Sequence, residues 1–336
     1  MSVTSRSFTQ FILHGRLRAI GAALAITLIP VIGPTLSIII VGMITLRQGA
    51  LEGFWVLVAA TLPCFFELPL MSSPEALWIV GIVAVSNCLT WALAVLLYRY
   101  DNWNLVLEVT ALIGIMLITT AHVIKPDLEP WWEKQLNTHI TQIFPDAGSG
   151  AVASTAKVGD KTPAVVEKNE ASQEVREGDL EPEILSFISA VKPYVTGLLT
   201  AGLLFNVLLQ LFVSRWWQLS LTDPKRLPRE LHQIHLTSMA GLVFLVALIL
   251  SYLKIVLAQD LLPVLYLTFG ITGLSLVHYA AAKFKGLTWL CLIVFYIVLI
   301  GSWMAYKLPL VFQLVALAAL LDVWFDWRGR LDKRFP

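Results

Sequence analysis

The chain has 336 residues, 57% of them hydrophobic and 14% charged, with a mean hydropathy of +0.75. Soluble domains carry about 25% charged residues, so this composition excludes an ordinary water-soluble globule and suits lipid. A net charge of +1 gives no global field to recruit nucleic acid.

In chain order, Arg16 and Arg18 followed by an apolar run over 19–29 imitate a secretory signal. More apolar segments follow at once, which predicts an uncleaved first helix. The stretch 19–46 is apolar throughout but interrupted by Pro30, Gly33 and Pro34. It reads either as one kinked span or as two short helices joined by a turn. Ala19 and Ala23, with Gly21 and Ala25 beside them, form small-xxx-small stripes that permit close helix contact, within the fold or with a partner protein. A shorter apolar segment covers 53–66. About 20 helical residues cross a hydrocarbon core, and the clear candidates are 77–98, 105–122, 184–213, 236–257, 261–282, 286–306 and 308–323.

Lys and Arg decide between the two readings of 19–46, because basic loops stay on the cytoplasmic side. With two segments there, one set of ends collects Arg16, Arg18, Arg47, Arg99, Arg215, Lys225, Arg226, Arg229, Lys283, Lys285, Arg328, Arg330, Lys333 and Arg334. The opposite short gaps collect only Lys307. With one segment, Arg47 and everything after it changes side. The pattern therefore predicts an all-α bundle of ten membrane segments, both termini cytoplasmic. Each half of the first hairpin extends only about 18–23 Å at 1.5 Å per residue, so it either tilts strongly or re-enters.

Residues 123–183 form the one long polar excursion, expected outside, with twelve Asp/Glu against six Lys/Arg. Its first part, 130–144, reads as an interfacial amphipathic helix anchored by Trp131 and Trp132. From 145 to 183 there is no apolar period, which predicts a disordered tether. The chain thus divides into membrane helices over 1–122, the acidic loop, and membrane helices with a short basic tail over 184–336.

Ionisable residues in membrane segments are costly, so each is a functional candidate. Glu67, His122, Lys192 and Lys254 fall near the outer face, with Asn206 and Gln210 deeper and four apart on one helix face. Together they suggest an outward polar pocket for a small molecule. The plainer reading is that the lysines snorkel to the interface and Glu67 ends a helix. On the inner side stand Glu108 and His278. Asp322 and Asp326 are followed by Arg328 and Arg330, a run suited to local ion pairs or lipid head groups. His232 and His235 lack the companions of a metal site, and no metal or cofactor is expected. Cys64, Cys88 and Cys291 show neither disulfide nor zinc spacing. No P-loop and no nucleophile elbow occurs, so no ATPase and no enzymatic activity is expected.

Three stretches resemble the YybS-like family of uncharacterised bacterial polytopic membrane proteins. They are Arg215-Trp216-Trp217-Gln218 leading into 223–231, the run 320–331 with Asp322, Trp324, Asp326, Arg328 and Arg330, and the basic turn 44–53. Where that family's loop ends in an acidic–aromatic pair, this chain has Glu230-Leu231, without the family's usual glycines and Phe. The resemblance covers all but 123–183, and it implies a bacterial inner-membrane location. The family is itself distantly similar to the substrate-binding components of energy-coupling-factor transporters, whose first helix contacts a coupling protein through an Ala-xxx-Ala stripe. Ala19 and Ala23 match that spacing. Two functions follow as expectations: a small-molecule-binding or transport component without its own ATPase, or a scaffold that docks protein partners or lipid through Trp216, Trp217 and the Asp/Arg run.

Overall fold

The computed structural model describes residues 15–29, 32–67, 74–126, 191–283, 286–306 and 310–334, with 128, 130–132 and 135. The predicted tether, most of the amphipathic stretch before it, Lys285, Lys307 and the side chain of Glu67 lie outside the described residues. Among the described residues there is no strand. The described residues form, in order, the α-helices α1 (Arg16–Thr27), α2 (Gly33–Gln48), α3 (Ala50–Glu67), α4 (Pro74–Tyr100), α5 (Trp103–Ile124), α6 (Val195–Thr222), α7 (Arg226–His232), α8 (Ser238–Tyr252), α9 (Val256–Lys283), α10 (Thr288–Tyr306), α11 (Leu310–Phe325) and α12 (Trp327–Arg334). A 3-10 turn, Lys192–Tyr194, leads into α6.

Helix is the one local structure that satisfies an apolar chain's backbone within a single segment. The buried hydroxyls follow the same logic. Thr45, Thr61, Thr90 and Thr110 each donate to the carbonyl four residues back, at 2.7–3.0 Å. Starts are capped where polar residues are available. The Asn102 side chain accepts from the Asn104 N–H, and Thr237 accepts from Ala240.

The stretch 19–46 is two helices packed on each other, as the basic pattern predicts. Gly33 makes the turn tight, since a Cβ there would stand 2.2 Å from the Ile26 carbonyl oxygen. The count of ten spans is not met. Among the described residues, four helical stretches are long and apolar enough to cross a membrane: Val80–Tyr100, Trp103–Ile124, Lys192–Thr222 and Val256–Lys283. A fifth arises if Leu310–Phe325 and Trp327–Lys333, bent by 74°, are one span. Among the described residues the other apolar helical stretches are shorter: Ala50–Phe65, Ser238–Tyr252 and Thr288–Ser302, with α1 and α2 at 12 and 16 residues. At 1.5 Å per residue these last two reach about 18 and 24 Å, less than the roughly 30 Å core. The molecule is a multi-pass helical membrane protein built from long spans with shorter helices packed around them.

α9 is the centre, packed against α5, α6, α8, α10 and α11. Its Phe269 meets Phe244 of α8 at 4.7 Å between rings, inside a core shared by α4, α5, α6, α8, α9 and α11. A second apolar cluster joins α1, α2 and α3, reached by Trp91 from α4 and Trp217 from α6. α4 and α6 thereby bind the two clusters together.

Candidate functional site

The basic residues that alternate along the sequence come together at one end of the bundle, and carboxylates meet them there. Arg16 pairs with Glu52. Arg215, in the last third of α6, is 5% exposed. Its guanidinium donates to Asp101 at 2.5 Å, to both oxygens of Glu230 at 2.6 and 3.1 Å, and to Gln218 Oε1 at 2.9 Å. Arg226 pairs with the same two carboxylates, and the Trp103 indole N–H donates to Glu230 at 3.1 Å. Two guanidiniums against two carboxylates leave this cluster neutral, and its geometry meets the requirement that buried charges be paired and hydrogen-bonded. Asp101 holds φ 49 between α4 and α5. Asp is among the few side chains that visit that region readily.

Beside the cluster lies a cavity of about 610 Å³, with walls that include Asp101, Trp103, Asn104, Glu230, His232, Gln233, His235, Tyr279, Arg328 and Asp332. Local bonds hold its rim. Asn104 accepts from the His235 backbone N–H at 2.9 Å, and Glu108 accepts from that of Thr237 at 2.8 Å, which straps the α7–α8 link onto α5. From the other side α12 folds back. Arg328 donates to the His232 carbonyl at 2.6 Å and to Ser275 at 3.2 Å, and it pairs with Asp322 at 3.3 Å. Asp332 accepts from Tyr279 and pairs with Lys283 at 2.5 Å. The Lys283 ammonium, then the Tyr279 hydroxyl, hold the Asp332 carboxyl below the usual carboxylate range. Partial burial, with repulsion from His278 and Arg328, pushes His232 below the usual imidazole value.

A polar line leads from this end into the bundle along one face of α6. Gln218 donates to the Leu46 carbonyl at 2.8 Å, and Ser214 donates to the Ile39 carbonyl at 3.0 Å. Gln210 accepts from Thr90 at 2.7 Å, and Asn206 donates to Ser86 at 3.3 Å. The period of four keeps all of them on one stripe. Asn206 and Gln210 thus share a face, as their spacing predicts, and that face looks onto α4.

The expected outward group is spread more widely. His122 stands 3.4 Å from Asp260. Lys192 sits on the 3-10 turn before α6, and Lys254 is exposed on the α8–α9 turn. Glu67 is the last residue of α3. Ala19 and Ala23 are buried against the hairpin and α3, and the Ala23 carbonyl accepts from Ser37 at 3.0 Å. The fold itself uses the close approach of that stripe, so these two residues are not an outer contact surface. Gly21 and Ala25 are the small residues left exposed on α1. Trp216 is 51% exposed, whereas Trp217 packs against the α1–α3 cluster. Of the C-terminal run, Arg330 and Asp326 face outward, while Asp322 and Arg328 hold α12 to the bundle.

Sequence reasoning missed Asp101, Trp103, Asn104, Glu230 and Asp260. The available signal was sign: acidic residues at ends otherwise crowded with Lys and Arg, and one at the start of an apolar run. Comparison with known proteins finds no family, curated protein or solved structure that matches the chain.

Proposed function

We propose that this is an integral protein of a bacterial inner membrane that binds a small polar molecule at its cytoplasmic end, as a binding or transport component without its own ATPase. The observation that carries the reading is the cavity of about 610 Å³, continuous with the buried Arg215 cluster. Its walls offer carboxylates, a guanidinium, amides and the rings of Trp103 and Tyr279, the mixture that orients a small ligand of several polar groups. The basic ends supply the sidedness. On that rule the proposed orientation has the cavity and both termini in the cytoplasm and the 123–183 loop outside. The likeness to the YybS-like family, and through it to transporter substrate-binding components, supports the same class.

The test is thermal stabilisation of the purified protein by a panel of vitamins, nucleosides and amino acids. At least one compound is expected to raise the melting temperature, with the shift reduced in Gln233→Ala and Asn104→Ala. If no compound shifts it, the reading fails. A scaffold role is the second reading, favoured by Trp216, a large side chain 51% exposed next to a buried ion-pair cluster. Co-purification from membranes separates the two: an ATPase-bearing partner supports transport, an envelope-assembly partner supports scaffolding.

A further inference from the structure

The polar line along α6 ends at a side chain that the solute reading does not use. Asn206 lies fourteen residues beyond Lys192 and nine before Arg215, within the span Lys192–Thr222. At 1.5 Å per residue it stands about 21 Å from the one and about 14 Å from the other, inside a hydrocarbon core of roughly 30 Å. Gln210, one turn further on, is 4% exposed and held by Thr90, whereas Asn206 is exposed. Among the described residues of the four long spans it is the only exposed Asn or Gln side chain.

Its surroundings are apolar. α4 and α6 run parallel, with Ser86 opposite Asn206 and Thr90 opposite Gln210. Along the same seam Ile82 and Val85 of α4, and Leu199, Phe205 and Leu209 of α6, are exposed as well. At this depth a surface of that composition faces lipid tails. An amide carries two N–H donors and an acceptor oxygen. One N–H of Asn206 donates to the Ser86 hydroxyl oxygen at 3.3 Å; among the described residues the second N–H and Oδ1 have no partner. Lipid tails supply neither a donor nor an acceptor, so leaving both groups unmatched costs free energy. Bonds between helices through Asn and Gln side chains remove that cost.

We propose that the exposed α4–α6 face is the contact between two copies of this chain, joined by Asn206 against Asn206 of the second copy across a two-fold axis along the membrane normal. What has to be matched is one donor and one acceptor at one depth. A second copy carries the same amide at the same depth, because the same basic ends fix its orientation in the bilayer. Rotation by 180° about the axis sets the free N–H of each amide against Oδ1 of the other, so two reciprocal bonds satisfy both side chains at once. The apolar neighbours Val85, Phe205 and Leu209 surround this pair and pack against their own counterparts. That self-complementarity selects a copy of this chain over a foreign helix, which would have to bring its own donor and acceptor to the same level. The contact holds whichever end of the bundle is cytoplasmic, since both copies turn over together.

The test uses the full chain in lipid. With one dye at its C-terminus, it is counted by stepwise photobleaching in vesicles over a wide range of protein-to-lipid ratios. Wild type is expected to pass from one to two chains per complex as the protein is concentrated. Asn206→Leu should need about 3- to 30-fold more protein per lipid to pair, the range to which polar bonds between membrane helices convert. Asn206→Gln keeps donor and acceptor and should pair closer to wild type. Separately, Cys64, Cys88 and Cys291 are replaced, and single cysteines are placed at Leu209, on the contact, or at Leu314, exposed on α11. Oxidation in the membrane is expected to link Leu209→Cys chains into dimers and to leave Leu314→Cys chains single. A wild-type chain that stays single at every ratio overturns the proposal, and that measurement needs no variant to fold. So does Asn206→Leu pairing as wild type does, a link through Leu314→Cys but not Leu209→Cys, or a different membrane protein bound across Leu209. The outcome is independent of the ligand panel, since no cavity residue lies on this face.

Discussion

Arg215 shows how much a single residue can hide. In the sequence it is one of many cations marking the basic ends, and nothing nearby along the chain marks it as buried. Its partners lie 114 and 15 residues away, at Asp101 and Glu230. No local period reports a pairing of that range, and so the centre of the candidate site was not legible. The histidines illustrate the converse. His122 stood out because an ionisable group in an apolar run is expensive, yet its neighbour Asp260 was missed at the edge of the run 261–282. Arg215→Met removes one partner from a buried pair and leaves Glu230 and Asp101 to share Arg226. Losses of about 3–5 kcal/mol attend such changes. The variant is expected to lose that much stability in denaturant titration of the detergent-solubilised protein. Arg215→Lys keeps the charge but cannot reach four acceptors with one planar group, and its loss should be smaller.

Among the elements, the apolar runs gave helices in the right places, because in an apolar chain hydropathy and backbone satisfaction demand the same structure. The break at Pro30, Gly33 and Pro34 was legible for a similar reason, since proline and glycine punctuate helices by their own geometry. Helix length was not. The run 236–257 gives only Ser238–Tyr252, because the Leu253–Ile255 turn, with Lys254 at φ 61, ends it early. Helix spacing was equally invisible, being set by small residues whose partners are far off in sequence. α9 and α11 approach so closely that a Cβ on Gly273 would stand 2.2 Å from the Val315 carbonyl oxygen. That atom is backbone and cannot rotate away. Gly273→Ala should therefore force the helices apart and lower stability by about 1–3 kcal/mol. Gly202→Ala, on α6 with nothing within 4 Å of a Cβ, should be neutral or stabilising. Paired melting curves of the two variants check the difference; equal effects would mean that the α9–α11 contact is looser than described.

For the whole molecule, the alternation of Lys and Arg and the gathering of those residues at one end express the same constraint. Charged ends that share one side of a membrane also share one end of the bundle, where Arg215, Arg226, Lys283 and Arg328 find carboxylates within reach. Sidedness then reduces to one question, which end faces the cytoplasm. It can be asked with a membrane-impermeant maleimide on intact cells, after replacing Cys64, Cys88 and Cys291. A single cysteine at Ser149, in the acidic excursion, should react from outside. One at Lys225, exposed in the α6–α7 turn, should react only after the membrane is permeabilised. Lys225 is a better reporter of the basic end than Gly286, whose φ of 90 would strain any side chain placed there. The reverse pattern would turn the molecule over, moving the cavity outside and the His122–Asp260 pair to the cytoplasmic end. Labelling of both sites from one side would break the alternation itself, because the helices between Ser149 and Lys225 would then have to cross an even number of times, whereas one long span, Lys192–Thr222, joins them here.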